Sequence, residues 1–452
     1  MSGTYLILVA VAGISALLYL VIKVRLHAFV TLLLVSLLVG VAAGMPLDAV
    51  IKSVERGMGG TLGFVAVVVG LGAMFGQMLE VSGGAERLAR TMVKRFGDDK
   101  VQWALGLTGF IVSIPVFLDV AIVILVPILY RLARDSGRPL LYYGIPLVAG
   151  GAVTHAFIPP TPGPIAVADL LGADLGWVIL FGTICGLPAM ILAGPIWGSY
   201  ISRRITKGVP DYVILKEIDE SRELPSFGEV LAIILTPLLL ILLSTSSAIL
   251  LEEGNALRSL LGFIGHPYSA LLIATLLAMV LLGSRRGYGR EEIQDIVNKA
   301  LEPAGIIILV TGAGGVFKQV LIDSGVGQVL GDMMSASGLP FLVLAFMVSA
   351  LIRVAQGSAT VAMVTAAGLV GPILQQNNVE GPQLALATIA IAAGGTILSH
   401  VNDSGFWLVS RFFGLTEKET LQSWTVAVTI VSLVGFVMVL LLGAIVGSPG
   451  TG

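Results

Sequence analysis

Two stretches of this sequence gather polar and helix-breaking residues inside long apolar runs, a pattern suited to binding a small polar solute. In THAFIPPTPGP, residues 154–164, four prolines fall within eleven residues. Each lacks an amide hydrogen and collides with the preceding turn, so no helix continues through them. The break frees the Thr154 and Thr161 hydroxyls, the His155 imidazole and several backbone groups. In SHVNDSGFW, residues 399–407, Ser399, His400, Asn402, Asp403 and Ser404 crowd together without helical periodicity. Polarity of that density inside hydrocarbon is expensive unless it faces a cavity. A third cluster, RVAQGSAT, residues 353–360, carries Arg353, Gln356, Ser358 and Thr360. A guanidinium at such a place can grip a carboxylate through paired N–H groups. Its structural alternative is an ion pair with Asp119 or Asp403. Asp119, His155, His400 and Asp403 are the candidates for loading and releasing a proton, because carboxyl and imidazole groups are readily tuned by their surroundings.

These side chains need apolar helices to position them, and the composition supplies little else. Of 452 residues 56% are hydrophobic and 12% charged, against about 25% charged in an ordinary soluble chain, and the mean hydropathy is +0.97. Such a chain cannot coat a water-exposed surface of its own size, and its net charge of −2 offers nothing to nucleic acid. The lone cysteine, Cys185, excludes a disulfide framework and Cys-based metal sites. No metal and no cofactor is expected. The chain reads as an all-α polytopic membrane protein.

About 20 apolar residues are needed per span, and hydropathy places spans near 4–22, 26–44, 61–80, 141–173, 176–202, 228–251, 267–283, 302–321, 383–413 and 421–446. Segments 101–133 and 340–374 are interrupted at their middles, by Pro115 and Asp119 and by Arg353 to Ser358. Each arm reaches midway but not across, so both segments read as re-entrant hairpins buried in protein. With the N-terminus outside, every Lys and Arg except Lys52, Arg56, Arg258, Lys318 and Arg353 falls in a cytoplasmic loop, a strong positive-inside signal. Lys318 is expected to snorkel from the outer end of its span, and Glu80 and Glu302 to lie at interfaces.

The chain also repeats itself. GAMFGQMLEVSG from Gly72 matches GGVFKQVLIDSG from Gly314, 242 residues on. The same spacing lays one hairpin tip over the other, and His155 falls over His400 three residues further out of register. Each half then holds five spans, one of them a broken helix, and a hairpin, and an odd number of crossings inverts the second half. The expected organisation is a first inverted repeat over 1–202, a cytoplasmic linker over 203–227 and a second repeat over 228–452. Within the first, 1–80 is scaffold, 101–133 hairpin, 141–173 broken helix and 176–202 span. Within the second, the same roles fall to 228–321, 340–374, 383–413 and 421–446. Segments near 84–96 and 324–337 read as surface helices. Inverted repeats with broken helices meeting at mid-depth are an architecture of secondary transporters. No nucleotide-binding GxxxxGK[ST] motif occurs, so an ion gradient or the solute itself must supply the energy.

THAFIPPTPGP followed by SHVNDSGFW, in a chain of this length, resembles the gluconate permease (GntP) family of bacterial gluconate:proton symporters. The resemblance covers essentially the whole chain. It implies uptake of gluconate or a related sugar acid with protons across the bacterial inner membrane, where the threading with the N-terminus outside puts both termini on the periplasmic side, and a homodimer whose scaffold carries an elevator-type transport domain. D-serine transport and sodium coupling are the alternatives within this fold. Hairpin tips reading SIPVFLD and VAQGSAT, in place of the Ser-Asn-Thr of sodium-coupled relatives, favour protons. Readings from other classes are weaker: for an intramembrane serine protease built on Ser358 and His400, QGSAT is a weak match to any nucleophile motif, and a passive channel needs a continuous polar pore, whereas the polar residues here cluster at breaks.

Overall fold

The computed structural model describes residues 3–210, 223–329, 332 and 339–447. Among them every regular element is helical, and eight helices are long and apolar enough to cross a bilayer. In chain order the helices are α1 (Gly3–Ile22), α2 (Ala28–Ala42), α3 (Leu47–Val81), α4 (Gly84–Phe96), α5 (Val101–Val112), α6 (Leu118–Ser136), α7 (Leu140–Phe157), α8 (Pro162–Leu171) and α9 (Leu175–Ile201). After the linker come α10 (Phe227–Leu250), α11 (Ala256–Ile264), α12 (Pro267–Arg286), α13 (Arg290–Asp323), α14 (Phe341–Gln356), α15 (Ala359–Gln376), α16 (Pro382–Thr396), α17 (Ser404–Phe412) and α18 (Glu417–Val446).

Local chemistry explains the boundaries. Ser226, Asp174, Thr416 and Ser358 accept from amides of the first turn of α10, α9, α18 and α15, satisfying donors that a helix start leaves free. Prolines begin α8, α12 and α16, where a missing N–H does no harm. Both broken helices break at their motifs: α7 stops at Phe157 and α8 resumes at Pro162, while α16 stops at Thr396 and α17 resumes at Ser404.

The long helices α3 and α13 correct the expected spans at 61–80 and 302–321, which begin at Leu47 and Arg290 instead. Gly59, Gly60 and Pro303 stand where the more polar leaders meet the apolar stretches, yet the helices run through them, with Pro303 accommodated inside α13. Glu302 is consequently an exposed residue within a helix and not at its start. The two helices lie against each other along small residues. A Cβ at Gly57 would stand 2.6 Å from Gly315 O, and one at Gly315 would stand 2.1 Å from Thr61 Oγ1. Polar groups close the seam at one end, where Asp323 accepts from Ser53 (2.5 Å), Arg56 (3.2 Å) and Gln319 (2.9 Å).

The segment 101–136 turns back on itself. The Gln102 amide near the start of α5 donates to Tyr142 O at the start of α7, 2.9 Å away, and Tyr143 donates to Ser136 at the end of α6. Both ends therefore lie at one end of α7, while Thr154 near the other end donates to Phe110 O. The interruption is Ser113–Phe117, which leaves Asp119 in the first turn of α6. The segment 341–376 is interrupted only at Gly357 and Ser358, with Gly357 at φ 95°.

Three features differ from or extend the sequence reading. The loop between α10 and α12 contains the short helix α11, whose Leu257, Leu260 and Phe263 are exposed. The helix expected near 84–96 is present as α4, with Leu88, Ala89 and Met92 buried, whereas half of its counterpart near 324–337 lies outside the described residues, as does 211–222 of the linker. The linker ends that are described are tied down: Lys207 donates to Gly414 O and pairs with Glu419 at 2.7 Å, and Arg87 donates to Leu224 O and Pro225 O.

The α3–α13 seam makes a stability prediction. Gly57→Ala forces two backbones apart and should cost about 1–3 kcal/mol, read as a lower melting temperature of the detergent-solubilised protein. Gly59→Ala, two residues along, adds a Cβ that meets nothing within 4 Å and should leave the melting temperature unchanged or raised. Equal effects of the two substitutions would contradict the seam.

Candidate functional site

The interruptions of α5–α6, α14–α15 and α16–α17 meet at one cavity of about 520 Å³, inside the range of small-molecule sites. Its lining includes the first turns of three helices: Leu118, Asp119 and Val120 of α6, Ser358, Ala359 and Thr360 at the start of α15, and Asp403, Ser404 and Gly405 at the start of α17. Helix starts carry unpaired amides and a partial positive charge, which favours anions. Arg353, in the last turn of α14, also lines it.

Arg353 is 4% exposed and Asp403 12%. The Arg353 Nη2 donates to Asp403 Oδ2 at 2.6 Å, so the structural ion pair weighed from sequence forms with Asp403 and not with Asp119. It occupies only one corner of the guanidinium: Arg353 Nε and Nη1 are buried with no partner among the described residues. Leaving a buried donor unsatisfied costs about 1–3 kcal/mol, more when the group is charged. Asp403 is fully engaged by comparison. Its Oδ2 also accepts from Ser399, and its Oδ1 accepts from Gly405 N at 3.2 Å, capping α17.

The remaining sequence candidates divide by where their polar atoms point. Asp119, His155, Gln356, Ser358, Thr360, Asn402 and Ser404 line the cavity together with Arg353 and Asp403. Asp119 is open to it, and His155 Nδ1 is buried without a partner among the described residues. Thr154, Thr161, Ser399 and His400 do not line it. The Thr154 hydroxyl is 0% exposed and joins α7 to Phe110 O of α5 at 2.8 Å. Thr161 turns back to Ile158 O at 2.6 Å inside its own break. His400 Nε2 lies 3.0 Å from Val354 O, and Asn402 Nδ2 donates to the same oxygen at 3.1 Å. That carbonyl belongs to the last turn of α14, which has no partner of its own within the helix. Ser358 accepts from Val361 N as the cap of α15. Among the described residues no hydrogen bond joins Ser358 to His400, so the nucleophile–base pair of a serine protease is not assembled.

Two residues were given too small a part by sequence. Lys318, expected to snorkel, instead donates to Leu170 O at the end of α8. The last turn of α8 leaves carbonyls without a partner in the helix, and a cation is favoured there. Trp424 lines the cavity at 3% exposure and donates to Ser399 Oγ at 2.7 Å. It sits in a π turn, Leu421–Thr425, within α18, and such turns cluster at functional sites. A lone tryptophan in an apolar span gives no sequence signal of this.

With this geometry in place, comparison with known proteins is informative. The sequence matches the family profile described as GntP family permease over residues 5–445. It is 46% identical over 438 residues to the low-affinity gluconate transporter of Escherichia coli (strain K12), covering 97% of this chain and 98% of that one. It is 41% identical over 444 residues to the gluconate permease of Pseudomonas aeruginosa, covering 98% of each. The Gnt-II system L-idonate transporter of E. coli (strain K12) is 40% identical over 439 residues, 97% of this chain and 99% of that one. In structure the chain is similar to the Alcanivorax borkumensis YdaH transporter, with a TM-score of 0.66 at 19% identity over 93% of this chain and 98% of that one, a likeness of fold. The multi-pass helical architecture, the cavity at its helix breaks and relatives of full length together place this chain in the GntP family of permeases.

Proposed function

We propose that this protein takes up gluconate, or a closely related sugar acid, by proton symport across the bacterial inner membrane. The observation that carries the anionic substrate is the unpaired edge of Arg353, buried in a cavity that three helix starts also line. A carboxylate entering there completes the guanidinium's hydrogen bonds. Gln356, Ser358, Thr360, Asn402 and Ser404 supply neutral donors and acceptors for the hydroxyls of a polyol chain. Thr154, Thr161, Ser399 and His400, expected to touch substrate, act here by shaping the breaks. The names of the relatives, gluconate and L-idonate transporters, agree with a hydroxylated monocarboxylate and favour it over D-serine.

Of the four proton candidates, Asp119 and His155 fit best, because both face the cavity and neither side chain is saturated by donors as Asp403 is. The recurrence of helix order at the 242-residue spacing, α3 to α9 against α13 to α18, supports two inverted halves, 1–202 and 228–452, joined by the linker. In this reading α3 and α13 belong to the scaffold of a homodimer. The hairpins, broken helices and final spans move as the transport unit, with both chain termini periplasmic.

Proteoliposomes test this directly. A pH gradient, alkaline inside, should drive accumulation of labelled gluconate, with excess L-idonate competing and glucose not. Equal uptake on a sodium gradient at symmetric pH would contradict proton coupling. Arg353→Lys keeps the charge and loses the planar fork, so the KM for gluconate should rise about 10–100-fold; an unchanged KM would refute the carboxylate role. Asp119→Asn should lose gradient-driven accumulation while retaining gluconate–gluconate exchange, and full accumulation by this variant would remove Asp119 from the proton path.

A further inference from the structure

Trp424 belongs to no motif, and its indole carries a single polar atom, yet it stands at the head of a chain of hydrogen bonds ending on Arg353. Indole Nε1–H is a donor only, and an ionised carboxylate is an acceptor only. Because Trp424 donates to Ser399 Oγ, the one hydroxyl hydrogen of Ser399 is directed to its remaining partner, Asp403 Oδ2. The same π turn places Thr425, whose hydroxyl donates to Ser399 O. Two consecutive residues of α18 therefore hold the backbone and the side chain of one serine in the α16–α17 break. The π turn is itself pinned, since Trp197 of α9 donates to Ser423 O at 3.0 Å. Asp403, fixed by Ser399 and by Gly405 N, receives Arg353 Nη2 at one corner only.

We propose that Trp424 is a positioning residue for substrate: acting through Ser399, it fixes Asp403 so that the guanidinium of Arg353 keeps Nε and Nη1 free for the carboxylate. Without the hydroxyl donor the Asp403 carboxylate keeps only Gly405 N and Arg353, and its Oδ2 can shift to take a second guanidinium hydrogen, competing with substrate for the same fork. Asp403 is in this scheme a fixed counter-ion, and the chain from Trp424 sets how much of Arg353 it consumes. The inference rests on the reading of Arg353 as the carboxylate site.

Trp424→Phe removes the N–H and keeps the aromatic ring in the cavity wall, and Ser399→Ala removes the next link. In proteoliposomes each should raise the KM for gluconate about tenfold with Vmax within about a factor of two, and the double variant should be no worse than Ser399→Ala alone, because the two residues act in series. Ser399→Thr, which restores a hydroxyl, should recover most of the affinity. A merely structural role for the ring would instead leave KM unchanged in Trp424→Phe, and two independent contributions would multiply in the double variant; either result overturns the proposal. Wild-type protein that transports no sugar acid would remove the underlying reading as well, whereas normal wild-type transport with an unaltered Trp424→Phe variant overturns this inference alone.

Discussion

The ion pair between Arg353 and Asp403 is the constraint around which the rest of the site is arranged. A guanidinium at 4% exposure persists inside an apolar bundle only with a counter-charge and further hydrogen-bond partners. Asp403 supplies the counter-charge and one partner. The two nitrogens left over make the empty site unfavourable in a way that an anionic ligand corrects. Polarity placed there costs stability and confers selectivity, the same trade seen wherever a binding site is built from buried charge.

The helix breaks serve that pair in two ways. They put the starts of α6, α15 and α17 on the cavity, adding positive partial charge without further buried ions. They also create free carbonyls, and the protein satisfies Val354 O with its own side chains, His400 and Asn402; Lys318 does the same for Leu170 O at the end of α8 away from its break. Much of the polarity in the two motifs therefore stabilises interrupted helices, and a smaller subset faces the cavity. Close-packed seams such as Gly57 against Gly315 and Gly109 against Leu147 O hold these elements at fixed distances, which short-range recognition requires.

The breaks themselves were legible in the sequence because proline clusters and runs of polar residues end helices whatever surrounds them. THAFIPPTPGP and SHVNDSGFW broke where expected, and Arg353, Asp119, His155 and Asp403 share one cavity as their depth implied. What sequence could not divide was the use of each polar atom. Thr154 and Ser399 look as available as Ser404 in one dimension, yet their hydroxyls are spent on Phe110 O and Asp403. Trp424 and Lys318 owe their parts to partners far away in the chain, and the leaders of α3 and α13 stay helical through Gly59, Gly60 and Pro303, a fact that hydropathy windows do not record.

The central claim is that the free edge of Arg353 receives the carboxylate of the transported acid. A structure of the protein with gluconate bound measures this most directly. The account predicts a carboxylate oxygen within hydrogen-bond distance of Arg353 Nε or Nη1, with Asp403 still on Nη2 and the hydroxyl chain reaching towards Gln356, Thr360 and Ser404. Gluconate bound elsewhere, or held with its carboxylate away from an Arg353 whose free nitrogens remain unpaired, would contradict it.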